Sequence, residues 1–239
     1  MSRTNKTKIL VTGSNGRFTK ILKEKNKILN LFFVDKKQCD IMNIKSIEKA
    51  IKKLKPKVIL HCAGLSRPMS IHEKDINKSI DLNIIGTANV TKICKKYNIK
   101  LIYFSTSYVY AGVKGNYKES DATKPFNNYG LSKLGGECAV LMYKNSLILR
   151  IAMTEKPFTY TEAFTDLKSN FLFHEDLVFI LPKLIKKRGV INIGGKAQSI
   201  YNFAKNHNPK IKKIKTPKNF KLPLNQSMNV DKLNKIMKK

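Results

Sequence analysis

Tyr129 and Lys133 stand four positions apart in the run Tyr129-Gly130-Leu131-Ser132-Lys133. On a helix, that spacing puts a phenol and an ammonium on one face. A phenol is a poor acid near neutral pH, with a reference pKa of about 10, and a nearby cation favours its ionised form. The pair suits proton delivery to a carbonyl oxygen as hydride reaches its carbon, or the reverse. Upstream, Ser105-Thr106-Ser107 closes an apolar run, where a hydroxyl can hydrogen-bond the same reacting oxygen. A second group of residues suits a dinucleotide. Gly13-Ser14-Asn15-Gly16 follows an apolar run, so backbone N–H groups at a strand-to-helix turn can face a pyrophosphate. Asp35 closes the next apolar run, about 20 residues on, where a carboxylate can accept hydrogen bonds from an adenosine ribose.

These groups need a scaffold that brings strand ends together. Apolar runs over 8–12, 29–34, 58–62, 101–104 and 146–151 read as strands, with helical patterns over 17–24, 46–54, 76–97 and 129–143 between them. Strands with little alternation, separated by helices, imply a parallel sheet covered on both faces. The expected fold class is α/β, a Rossmann-type doubly wound sheet over 1–153. A small mixed α/β lobe over 154–239 is interleaved with it rather than independent.

The chain has 239 residues, 42% of them hydrophobic, enough for one real core. Its net charge of +31 would by itself point to phosphate-rich partners. All but five of the 47 positive charges are lysines, however, and nucleic-acid readers favour the planar fork of arginine. Nucleic-acid binding is therefore a minor hypothesis here. The basic run 205–221 reads as a solvated face that can also steer an anionic substrate. Cys39, Cys62, Cys94 and Cys138 lie far apart, without a CxxC pair or a histidine at ligand spacing, so no metal site or disulfide framework is indicated. No apolar run is long enough to span a membrane, and the first residues lack a signal-peptide pattern; a cytoplasmic protein is expected.

As a set, several stretches resemble the extended short-chain dehydrogenases/reductases, and among them the nucleotide-sugar 4-ketoreductases of the dTDP-4-dehydrorhamnose reductase kind. They are Val11-Thr12-Gly13-Ser14-Asn15-Gly16, Cys39-Asp40-Ile41, 55–64, 83–89 and Phe104-Ser105-Thr106-Ser107-Tyr108-Val109-Tyr110-Ala111-Gly112. Glu119, Pro125 and 128–137 complete the match. The resemblance implies a Thr106, Tyr129, Lys133 triad. In it Tyr129 donates the proton, Lys133 holds the nicotinamide ribose and lowers the Tyr129 pKa, and Thr106 orients the substrate carbonyl. It also implies that Gly13, Asn15, Gly16, Arg17 and Phe18 line a pyrophosphate and that Asp35 takes the adenosine ribose. Asp40 and Ile41 would meet the adenine, and Cys62, Ala63 and Gly64 the middle of the cofactor. Asn83, the family's structural asparagine, completes the cofactor-facing set. The implied cofactor is NAD(H) or NADP(H): Asp35 repels a 2′-phosphate, whereas Lys36 and Lys37 can neutralise one.

Ser107-Tyr108 follows the triad threonine in place of the Asp-Glu of dehydratases, and Tyr108 replaces the cysteine of GDP-fucose-synthase-type epimerase-reductases. Simple reduction of a nucleotide-linked 4-keto-6-deoxy sugar is the reading that remains. The alternatives are a non-catalytic NAD(P)-binding regulatory subunit on the same fold, or a sugar-nucleotide epimerase. Thr19 stands where the family has a third glycine, which implies a slightly shifted first helix and weaker cofactor binding. Ser107 replaces the aspartate common in rhamnose-forming members, and the part after 146–151 is short for the family's substrate lobe, which implies a smaller or more open sugar pocket. His61 is expected to satisfy a hydrogen bond rather than bind metal, and His174 with Glu175 and Asp176 to form an ion-paired scaffold. The resemblance implies a homodimer through the helices over 76–97 and 129–143.

Overall fold

The computed structural model describes residues 7–158, 160–218 and 223–238. Six strands, β1 (Lys8–Thr12), β2 (Asn30–Val34), β3 (Val58–His61), β4 (Lys100–Thr106), β5 (Ser146–Ile151) and β6 (Gly189–Ile193), form one sheet in the order β6-β5-β4-β3-β1-β2. Every pairing within it is parallel. The chain leaves β1 towards β2 on one side and returns to β3 on the other, so the winding reverses beside β1. The crevice at the strand ends there is a topological switch point, where open α/β sheets bind ligands.

The helices are α1 (Arg17–Lys25), α2 (Ile44–Leu54), α3 (Ile71–Lys74), α4 (Ile76–Ser79), α5 (Gly86–Lys96), α6 (Asn128–Leu141), α7 (His174–Leu184), α8 (Ile200–Lys205) and α9 (Asp231–Met237). Alternate strand side chains feed two cores. Ile9, Val11, Ile102 and Leu149 meet Phe18 and Leu22 of α1 and Leu177 and Leu181 of α7. Leu10, Leu101, Tyr103 and Ile148 meet Ile47 of α2, Val90 of α5 and Val140 of α6. The expected doubly wound sheet is the observed architecture.

One expectation is corrected. The single helix over 76–97 is α4, a π-helical turn Ile80–Ile85 and α5. Such turns loosen the hydrogen-bond ladder where a side chain is needed elsewhere, and this one carries Asn83. Parts of the stretch 154–239 pack onto the sheet and its helices. α7 packs against α1, α9 packs against β6, and β6 pairs with β5 at the sheet edge. The β5 edge would otherwise carry unpaired backbone groups, and the β-branched run Val190-Ile191 with Ile193 satisfies it. What remains for the lobe is a set of short pairings. Met153–Thr154 joins Leu172–Phe173, Glu162–Phe164 joins Lys212–Ile214, and Lys168–Ser169 joins Gln198–Ser199. They close around Phe158, Phe173, Phe203 and Ile211. Of the basic run 205–221, positions 219–221 lie outside the described residues, as do positions 1–6.

Candidate active site

The β1-to-α1 turn is built by Gly13, whose φ of +74° suits only a residue without Cβ. A Cβ there would also meet Ala63 Cα at 2.7 Å, because the turn packs against the loop that follows β3. Gly16 caps α1 without any side-chain hydrogen bond. The first-turn N–H groups of Arg17, Phe18 and Thr19 have no intrahelical partner, which leaves a partial positive charge at the crevice. Thr19 sits inside this turn. It is buried, and its hydroxyl lies 2.8 Å from the carbonyl oxygens of both Gly13 and Gly16, bracing the turn from inside.

At the end of β2, Asp35 accepts a 2.9 Å hydrogen bond from Gln38 N–H and stays partly exposed beside exposed Lys36. The Asp40 carboxylate accepts from Met42 N–H at 3.0 Å. Ile41, expected against the adenine, turns into the α2/α5 core and is only 5% exposed. Ala63 N–H donates to Thr12 Oγ1 at 3.1 Å, while half-buried Cys62 has its thiol pushed up by burial. Gly64 stands against the Asn83 amide oxygen.

Asn83 is corrected from cofactor-facing to a structural tie. Its Oδ1 accepts from Leu65 N–H at 2.7 Å, and its Nδ2 donates to Leu65 O and to Ser132 Oγ, both at 2.9 Å. This fastens the loop after β3 to α6, and no polar atom of the amide is left over. His61 is the hydrogen-bonding strand-end histidine expected. Its two ring nitrogens pair with Thr12 Oγ1 at 2.9 Å and Thr87 Oγ1 at 3.1 Å, and burial brings its pKa down to about 3.

Thr106 closes β4 and lines one cavity with Tyr129, while Lys133 stands one turn further along α6. α6 is capped by Asn127, whose side chain accepts from Gly130 N–H at 2.8 Å. Gly130 lets the helix touch the Tyr108 carbonyl, where any Cβ would collide. The Thr106 hydroxyl favours the ionised form of the Tyr129 phenol, and both residues line one cavity. Burial pushes the Tyr129 phenol up to about 12 against the pull of Thr106, Arg67 and Arg17. The Lys133 ammonium, 7% exposed, sits 4.2 Å from the centre of the Tyr103 ring. Burial brings it down to about 8, opposed by Glu137. This ammonium stands over the Tyr103 ring, and burial keeps Tyr129 a neutral acid.

Sequence reasoning missed the walls of the site. A cavity of about 620 Å³ opens over Thr106, Tyr108 and Tyr129, with Phe158, Tyr160 and Phe171 from the lobe opposite. Two of the five arginines, Arg17 and Arg67, line it, and Arg17 pairs with Glu155 at 2.9 Å. The rarity of arginine in this lysine-rich chain was the available signal. The ion-paired scaffold around His174 is also corrected. His174 is buried edge-on to Phe18 and lines the cavity, its pKa lowered by burial, and Asp176 accepts from Phe173 N–H at the start of α7 instead. Among the described residues no cluster of His, Cys, Asp or Glu could hold a metal ion, and no helix is long and apolar enough to cross a membrane.

Comparison with known proteins matches residues 7–166 to the family model described as the RmlD substrate binding domain. Methionine adenosyltransferase 2 subunit beta of Xenopus laevis is 33% identical over 113 residues, 47% of this chain and 34% of that protein. A dTDP-4-dehydrorhamnose reductase of Aggregatibacter actinomycetemcomitans is 29% identical over 152 residues, 62% of this chain and 51% of that protein. The matched part thus spans about a third of the first relative and about half of the second. Among solved structures, the dTDP-4-dehydrorhamnose reductase of Bacillus anthracis in complex with NADP superposes with a TM-score of 0.85 at 23% identity, covering 98% of this chain and 92% of that one.

Proposed function

Since the chain belongs to the RmlD substrate binding domain family, we propose that it is an NAD(P)H-dependent oxidoreductase that reduces a nucleotide-linked 4-keto-6-deoxy sugar. The observation that carries this reading is that Thr106 and Tyr129 both line a cavity of about 620 Å³, large enough for a sugar nucleotide, with Lys133 one helical turn beyond Tyr129 on α6.

The dinucleotide fits the residues present. The uncapped start of α1 offers backbone N–H groups to a pyrophosphate, and Gly13 leaves room where a Cβ would strike Ala63. Asp35 supplies a ribose acceptor, and Lys36 supplies charge for a 2′-phosphate if one is present. NAD(H) and NADP(H) therefore both remain within the proposal. When bound, this cofactor supplies the hydride. The protein's own residues do the rest. Thr106 orients the ketone oxygen, Tyr129 gives it a proton, and Lys133 holds the ribose and the charge that develops on the phenol. Phe158, Tyr160 and Phe171 give the sugar an apolar wall suited to a 6-methyl group, and Arg17 and Arg67 offer a diphosphate two guanidinium forks.

The likeness to a subunit of methionine adenosyltransferase does not displace this reading, because a purely regulatory role would have no use for the filled triad. The proposal extends to a homodimer, supported by Ile76, Ile80, Ile85 and Leu131, which stand exposed on α4, the π-turn and α6, and to work in the cytoplasm. The test is oxidation of NADH or NADPH with dTDP-, UDP- or GDP-linked 4-keto-6-deoxyhexoses. Turnover with a sugar supports the reading, and dinucleotide binding without turnover on any of them contradicts it.

A further inference from the structure

His72 has no part in the chemistry above, yet it touches the residue at its centre. The imidazole has no exposure, and its ring centroid lies 5.0 Å from that of Tyr129. Its Nδ1 hydrogen-bonds Ser79 Oγ at 2.9 Å, whereas Nε2 is buried without a well-aligned partner. A buried imidazole nitrogen left in that state costs free energy, so the position is not one that packing alone would choose. The surrounding backbone is fastened to the same helix. Asn128, immediately before Tyr129, donates from its side chain to the His72 carbonyl at 3.3 Å and to Glu73 Oε2 at 2.6 Å. The Asn128 N–H reaches Glu73 Oε1 at 3.3 Å. α3 is therefore clamped onto the first turn of α6, and the His72 ring is the part of the clamp that meets the phenol ring.

We propose that His72 is a positioning residue that fixes the orientation of the Tyr129 ring towards the reacting carbonyl and does so as a neutral imidazole. The catalytic consequence rests on the reductase reading above; the contact itself does not. Ser79 from α4 and the Tyr129 ring from α6 touch this imidazole, and the Ser66 backbone from the loop after β3, Glu73 from α3 and Lys133 from α6 act on its charge. Glu73 favours a proton on His72, while Lys133 and burial disfavour it, and burial dominates. The imidazole is thus neutral at pH 7. In acid it becomes a cation, and that cation repels Lys133 and disturbs the packing on Tyr129.

The test uses the full chain in two readouts. In turnover, His72→Ala lowers kcat by about 10²-fold, the scale for a misplaced catalytic group, with KM little changed. His72→Phe, which restores the ring but cannot titrate, recovers kcat to within a few-fold and loses the acid limb of the kcat–pH profile below the pKa of His72. In NMR of protein labelled with carbon-13 at tyrosine Cζ, the Tyr129 resonance, assigned through Tyr129→Phe, shows an acid inflection that His72→Phe removes. If kcat survives His72→Ala, or if kcat and KM deteriorate together in both variants in step with lost thermal stability, the proposal is overturned. An NMR response in a protein that turns over no sugar upholds the His72–Tyr129 coupling and refutes the reductase reading instead.

Discussion

Arg150 grips Glu137 with Nε 3.2 Å from both carboxylate oxygens and Nη2 2.8 Å from Oε2, in a place where Glu137 has no exposure and Arg150 only 5%. Ser105 adds a 2.5 Å hydrogen bond to the same carboxylate. Glu137 lies one turn beyond Lys133 on α6, and Ser105 directly precedes Thr106 on β4. The ion pair therefore ties together the helix and the strand that carry the three candidate catalytic residues. Breaking a buried pair leaves an uncompensated charge. Glu137→Gln should destabilise the fold by about 3–5 kcal/mol in denaturant titrations, and Glu137→Leu combined with Arg150→Met should recover most of that loss. Single variants within about 0.5 kcal/mol of the parent would show that the tie is dispensable.

Gly13→Ala must force a side chain into a positive-φ turn and against the Ala63 backbone at 2.7 Å. The expected cost is about 1–3 kcal/mol, together with loss of dinucleotide binding. Calorimetric titration with NADH and NADPH checks the second effect, and an undiminished affinity would remove the turn from the cofactor site.

Buried His61, with its pKa lowered to about 3, makes stability depend on pH. The unfolded chain takes up a proton on this histidine below about 6.5, whereas the fold keeps it neutral down to about 3. Stability should thus be intact above pH 6.5 and decline as pH falls from there towards 3, by up to ~5 kcal/mol from this group alone. His72 and His174 act in the same direction. The check is proton uptake on unfolding at pH 5, which should fall in His61→Gln.

Lys133 should display a trade between stability and function. Its folded pKa of about 8 lies below the unfolded value, so the buried ammonium destabilises the fold fully below pH 8, and stability recovers as pH rises from 8 towards 10.5. Lys133→Met should raise stability at pH 7, by about 3 kcal/mol at most, while turnover disappears. A variant both less stable and inactive would assign Lys133 to the scaffold.

Much of this architecture is legible in the chain. Lys8–Thr12 and Val58–His61 are short apolar runs ended by turns, and Ser146–Ile151 coincides with its expected span, because fully buried parallel strands leave a continuous hydrophobic signal. Tyr129 and Lys133 are legible because helical spacing alone puts them on one face. What depends on distant partners is not. Gly189–Ile193 has the pattern of a strand, but nothing local says that it completes the β5 edge rather than the lobe. The π-turn at Ile80–Ile85 carries Asn83, whose bond to Leu65 is a tertiary contact invisible to periodicity. His174 beside Glu175 and Asp176 suggests ion pairing by proximity in sequence, yet Asp176 is taken up by the Phe173 N–H at the start of α7 and His174 packs on Phe18. His72 is a single histidine in a polar segment, and only the folded chain lays it against Tyr129.

The central claim is that Tyr129 gives the proton that accompanies hydride transfer. The most direct measurement is the loss of reduced-nicotinamide absorbance with a 4-keto-6-deoxy sugar nucleotide, comparing the parent with Tyr129→Phe at matched cofactor saturation. A fall in kcat of about 10²–10⁴-fold in the variant, with NADH or NADPH still binding, is the predicted result. Turnover in Tyr129→Phe equal to that of the parent would contradict the account.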